Sequence, residues 1–189
     1  MKLKYNSPVV LTYTLICTAV LFVSTFFGIE LRPLFTIMSN PDFSDPVTYF
    51  RFFSHIIGHG DWAHLVGNFT FILLLGPILE EKYGSRDLLI MILVTALITG
   101  ILHIIFFSEG LLGASGVVFM MILLSSVTNS KGGIPMTFIL VVILFLGKEV
   151  IEALGDDNIS QFAHIIGGIL GGVFGFFLEN GGKQKTTGV

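Results

Sequence analysis

Residues 88–107 read LLIMILVTALITGILHIIFF, a run without one formally charged side chain. A helix rises about 1.5 Å per residue and the hydrocarbon slab of a bilayer is about 30 Å thick, so a run of this length suits one crossing. Comparable apolar segments lie on either side, at 9–27, 64–79, 115–127, 134–146 and 162–178. The segments 115–127 and 134–146 are short. That is tolerable where protein surrounds them, or where irregular backbone completes the crossing inside a bundle. The pattern predicts an all-α membrane protein with six transmembrane helices.

The bulk composition agrees. Hydrophobic residues make up 53% of the chain and charged residues 12%, with a mean hydropathy of +0.87, against about 25% charged in ordinary soluble domains. This argues against a disordered chain, a coiled coil, a soluble enzyme and a nucleic-acid binder with a basic face. The balance of 10 Lys+Arg against 13 Asp+Glu calls for no polyanionic partner. At 189 residues one compact unit is expected. It divides into a short cytoplasmic N-terminus (1–8), a six-span core (9–178) and a flexible cytoplasmic tail (179–189). The single cysteine, Cys17, lies in an apolar run and has no internal disulfide partner.

The first segment follows Lys2 and Lys4, as a signal peptide would. It is too long for a signal h-region and lacks an A-x-A-like cleavage site, so it reads as a retained span. With the N-terminus in the cytoplasm, the inside flanks hold Lys2, Lys4, Lys82, Arg86, Lys131, Lys183 and Lys185. The outside flanks hold Arg32, Arg51 and Lys148. This bias predicts a multi-pass protein of the cell membrane with both termini cytoplasmic. The external connection 28–63 is long and rich in aromatic residues, among them Phe35, Phe43, Tyr49, Phe50, Phe52 and Phe53. Such a loop is expected to lie partly in the membrane interface.

Polar groups at membrane depth are costly, and they point to function. The candidates are His64, Asn68, His103, Ser115 and His164. With alternating passes, spans two, four and six all start outside. His64 and Asn68, Ser115, and His164 therefore fall at a similar depth in the outer half of the bilayer. His64 and Asn68 are four apart and share a helix face. Ser115 stands in Gly113-Ala114-Ser115-Gly116, where flanking glycines permit a sharp turn and a close backbone approach. A serine at a helix N-terminus sits among unpaired N–H groups in a positive field, suited to a developing oxyanion. Gly167 and Gly171, and likewise Gly168 and Gly172, are spaced for tight helix packing near His164. These groups suit acyl transfer. Ser115 is a nucleophile once His164 takes its proton, and the Asn68 amide, a His64 ring N–H and the Ser115 backbone N–H are oxyanion donors. No aspartate lies beside His164, so a Ser-His dyad is expected rather than a triad.

In these residues the chain resembles the rhomboid intramembrane serine proteases, over nearly its whole length. Gly113-Ala114-Ser115-Gly116 is similar to the family's GxSG nucleophile motif, His64 and Asn68 to its HxxxN, and Ala163-His164 with Gly167 and Gly171 to its AH…GxxxG. Arg51, His55 and His59 resemble the arginine and histidines of the family's first loop. Glu80, Gly84 and Ser85 resemble its ExxxGS turn. Two positions depart from the pattern. Phe50 precedes the loop arginine where Trp is common, and Phe119 follows the serine by one turn where Tyr is common. The resemblance implies a minimal, six-span rhomboid-like bundle with a membrane-interfacial first loop. It implies cleavage of transmembrane or membrane-proximal segments that enter past span five, with water reaching the site from outside.

Blander roles are expected elsewhere. Arg51 and Glu80 should pin loops through hydrogen bonds, His55 and His59 should satisfy backbone carbonyls, and His103 should be a bundle-facing hydrogen bonder. Glu149 and Glu152 should be solvated. No cofactor, metal or nucleic acid is called for. Three competing functions fit the sequence less well. A transporter would place its polar groups at the midplane and would need an intramembrane carboxylate pair. A non-catalytic relative should have lost the serine or the histidine. A metalloprotease using His55, His59, His64 and His164 lacks the H-E-x-x-H pattern.

Overall fold

The computed structural model describes residues 4–38, 40–128, 133–146 and 159–182. Helix α1 (Pro8–Phe27) opens on a proline, whose missing N–H costs nothing in a first turn, and stops at Gly28 with a left-handed φ of 65°. The connection that follows is folded. It holds a 3-10 turn (Arg32–Leu34) and helix α2 (Pro46–Ser54), started by Asp45, whose carboxylate accepts from Val47 N at 2.9 Å. Phe52 turns into the protein, while Tyr49, Phe50 and Phe53 face outward.

Helix α3 (Trp62–Tyr83) and helix α4 (Ser85–Phe106) are separated by Gly84 alone, at φ 84°. Helix α5 covers Ser115–Val127, as the sequence predicts, and helix α6 covers Met136–Val141. The chain then continues through wider π-type turns to Leu146. Helix α7 covers Ile159–Gly182.

Four of these helices are long and apolar enough to cross a membrane: α1, α3, α4 and the stretch Gln161–Leu178 of α7, with mean hydropathies from 1.6 to 2.7. Their lipid-facing sides carry exposed Phe26, Leu74, Ile105 and Phe177. Residues 147–158, with Glu149 and Glu152, lie outside the described residues, and so do 183–189 of the expected tail. Helix α3 starts earlier and ends later than the apolar run 64–79. Asp61 supplies its start by accepting from His64 N at 2.8 Å, and Glu80 continues it because its carboxylate is buried in use.

Helix α5 is the axis of the bundle. Every residue from Gly116 to Leu124 is buried, against α3, α4, α6 and above all α7, which fits a helix apolar on all sides. Its 13 residues span only about 20 Å. The lower ends of α3 and α5 are tied by Tyr83 Oη and Thr128 Oγ1 at 3.0 Å. Counting back from this tie at about 1.5 Å per residue, Asn68 stands about 22 Å along α3 and Ser115 about 20 Å along α5. The two polar residues are thus level.

Candidate active site

Ser115 is the first residue of α5, half-buried at the end of a loop with little freedom. Gly113 has φ +124°, a backbone conformation that side-chain-bearing residues rarely adopt, and a Cβ there would fall 2.7 Å from the His64 ring. Its N–H donates to the carbonyl of His55 at 2.9 Å. Two residues earlier, Leu111 and Ile37 exchange backbone hydrogen bonds at 2.9 and 3.1 Å. The long first connection therefore holds the serine loop from outside. The first intrahelical bond of α5 runs from Val118 N to Ala114 O. The N–H groups of Ser115, Gly116 and Val117 have no acceptor within the helix, and the positive end of the helix dipole lies at the serine.

Helices α5 and α7 meet backbone to backbone. A Cβ on Gly167 would collide with the carbonyl of Gly116, and one on Gly171 with that of Met120. A Cβ on Gly116 would lie 3.3 Å from the Ala163 carbonyl. This seam carries Ser115, next to Gly116, and His164, next to Ala163. The ring of His164 stacks on Phe119, with centroids 4.3 Å apart and planes within 5°. Phe119 lies one turn after Ser115 on the same face, and helical side chains lean toward the preceding turn. His164 therefore lies over the face of α5 that Ser115 heads, and it is half-buried like the serine.

From the third side, α3 brings His64 against Gly113 and Asn68 one turn deeper. Asn68 Nδ2 lies 3.1 Å from His59 Nε2, and the His59 and His64 rings meet edge-on at 5.0 Å. His59 Nδ1 lies 3.1 Å from the Ile57 carbonyl, and His55 Nε2 lies 3.1 Å from the Ala96 carbonyl. Burial pushes both loop histidines down to about 4, against the small opposing pull of these carbonyls. Both are neutral imidazoles at neutral pH. The head of α5 is thus a recess bordered by His64 of α3 at Gly113 and by the α7 seam that carries His164, with Asn68 one turn below His64.

A family model described as Rhomboid domain matches residues 46–180. The chain belongs to the rhomboid family. Among curated relatives, a rhomboid protease, GlpG of Haemophilus influenzae, is 23% identical over 179 residues, covering 92% of each chain. The protein of the same name from Klebsiella pneumoniae is 30% identical over 121 residues, 62% of this chain and 42% of its own. That from Salmonella paratyphi A is 27% identical over 150 residues, 75% and 54% respectively. The chain spans nearly all of the Haemophilus protein and about half or less of the other two.

The other motif residues of this rhomboid chain lie around the recess or at the opposite end. Arg51 donates from Nε to the Pro33 carbonyl at 2.7 Å and lies 4.0 Å from Asp45, tying α2 to the 3-10 turn. Glu80 is buried at the far end of α3. Its carboxylate accepts from Val9 N and Val10 N, both at 3.0 Å, and from Ser85 Oγ at 2.7 Å. His103 is buried in the bundle, with Nε2 2.9 Å from the Glu109 carbonyl. Among the described residues, no three His, Cys, Asp or Glu side chains converge as metal ligands would.

Two residues near the recess escaped the sequence reading. Asp61 starts the helix that carries His64 and Asn68. An Asp three residues before His64, ahead of an apolar run, was a legible cap signal. Tyr13 donates to the Ile56 carbonyl at 2.7 Å. Nothing in the sequence linked it to a loop more than forty residues away.

Proposed function

We propose that this rhomboid protein is a six-span intramembrane serine endopeptidase that cuts transmembrane or membrane-proximal segments of other membrane proteins. The broad class, an intramembrane serine protease, rests on the family match and on relatives that carry the protease name. For the chemistry, the supporting observation is the stack of His164 on Phe119, one turn from Ser115. In this reading Ser115 Oγ attacks the scissile carbonyl and His164 takes its proton. The oxygen of the tetrahedral adduct is held by the Ser115 N–H, a His64 ring N–H and an Asn68 amide N–H. Collapse breaks the C–N bond, His164 returns the proton to the leaving amine, and an ester to Ser115 remains. Water then gives a proton to His164 and its oxygen to the acyl carbon, freeing the acid and restoring the hydroxyl.

The six-span count adds the short α5 and α6 to the four crossing-length helices. Both termini are cytoplasmic, so the recess faces outward and takes its water from that side. Substrate enters from the lipid beside span five. Lipid and membrane-protein substrates are the partners, and neither a metal nor an organic cofactor takes part.

Cleavage of a single-span test substrate by the purified protein, in detergent and in liposomes, is the test. Ser115→Ala and His164→Ala should each lower the rate by about 10⁴-fold or more, with unchanged thermal midpoints. Addition of a strong chelator should leave the rate as it was. Wild-type cleavage by the Ser115→Ala variant rejects the mechanism, and a chelator-sensitive rate favours metal hydrolysis instead.

A further inference from the structure

The ring of His59 joins two polar partners beside the recess. Its Nδ1 faces the Ile57 carbonyl and its Nε2 faces Asn68 Nδ2, both at 3.1 Å. A carbonyl oxygen only accepts, so Nδ1 carries the proton, and on a neutral ring Nε2 is then an acceptor. The NH2 of Asn68 has two hydrogens, and this bond occupies one of them. The pair is buried, with His59 4% and Asn68 8% exposed, so the bond has little competition from water.

The segment that carries this carbonyl is itself held. Tyr13 of α1 donates to the neighbouring Ile56 carbonyl at 2.7 Å. Phe69 packs between the two sides, its ring 5.3 Å from Tyr13 and 5.7 Å from His59. A chain of contacts thus runs from α1 through the first connection to an amide on α3.

We propose that His59 is a positioning residue for Asn68: its Nε2 lone pair fixes the orientation of the amide, so that the second Nδ2 hydrogen points into the recess as an oxyanion donor. The inference rests on the oxyanion role of Asn68 in the reading above. His59 does not touch substrate, and a ring that bonded only to backbone would be simple bracing. The bond to Asn68 gives it a consequence for rate that bracing lacks.

A double-mutant cycle on kcat separates the two. His59→Ala and Asn68→Ala should each lower kcat, by up to the about 10²-fold that one oxyanion donor is worth, with KM unchanged. The double variant should be no slower than Asn68→Ala alone, because the action of His59 passes through that amide. Multiplication of the two single losses in the double variant overturns the proposal. So does a His59→Ala loss that appears in KM or in the thermal midpoint and leaves kcat alone. His59→Gln keeps an acceptor near the place of Nε2. It should recover most of the rate, and it carries the test if the alanine variant does not fold. A glutamine variant as slow as Asn68→Ala overturns the link. An Asn68→Ala enzyme with wild-type kcat beside a dead Ser115→Ala removes the oxyanion role itself and leaves the dyad standing.

Discussion

The two ends of the bundle solve the same problem in opposite ways. At the inner end, one carboxylate does the joining. Glu80 accepts from the first turn of α1 and from Ser85 at the start of α4, and Tyr83 ties α3 to Thr128. At the outer end many separate contacts do it, among them Arg51 on the Pro33 carbonyl, neutral rings and backbone. His55 and His59 face carbonyls, Ile37 pairs with Leu111, and glycines close the seam between α5 and α7. A buried anion that receives three hydrogen bonds is a strong fixed joint. The neutral imidazoles of His55 and His59 add no charge of their own beside the serine loop. The inner end is joined through one shared acceptor, and the outer end through many separate contacts.

Acid should show the difference most. The folded-state values of His55 and His59 lie near 4, below the ordinary value of about 6.5. The unfolded chain binds more protons than the folded one between these limits. Stability from these two groups is complete above about pH 6.5 and is lost as pH falls toward 4. A series of thermal midpoints from pH 7.5 to 4 should fall by an amount worth several kcal/mol, with most of the fall removed in a His55→Gln, His59→Gln protein. A flat profile would mean that the outer end does not rest on neutral histidines.

Next in size is the glycine seam. In Gly167→Ala the new methyl group collides with backbone of α5, which no rotamer change relieves. The expected cost is about 1–3 kcal/mol, with a loss of turnover because the approach of α7 also sets His164. An alanine that leaves both the melting point and the rate intact contradicts the close packing.

The smallest effect on turnover belongs to the inner end. Glu80→Ala leaves two N–H groups and a hydroxyl without their acceptor, at a cost of about 1–3 kcal/mol for each that water does not reach. It should lower the thermal midpoint at neutral pH and leave kcat unchanged for the fraction that stays folded. A changed kcat in that fraction would show that the two ends are coupled.

Much of the site was legible because the chemistry is rare for its setting. A histidine or asparagine inside an apolar run is conspicuous, and alternating passes predicted a common depth for His64, Asn68, Ser115 and His164. Helix α5 was legible to the residue because glycines and a polar stretch bound it sharply. The extent of α3 was less so, since Glu80, Glu81 and Lys82 look like a loop until a buried partner is known. His59 was legible only as a histidine in a loop. Its bond to Asn68 joins residues nine apart across a turn, which no periodicity encodes. Phe119 stood out only as a departure from a motif, and its stack on His164 joins two separate helices.

The sequence by itself determined that the chain is a helical membrane protein, because hydrocarbon admits only backbone that satisfies its own hydrogen bonds. It also determined which side chains could do chemistry, because few polar groups were placed where burial is expensive. Only the tertiary structure decided which ring nitrogen faces which partner, how deep the serine sits and which glycines touch. Those are relations between segments far apart in the chain, set by the packing of whole helices and not by any local preference.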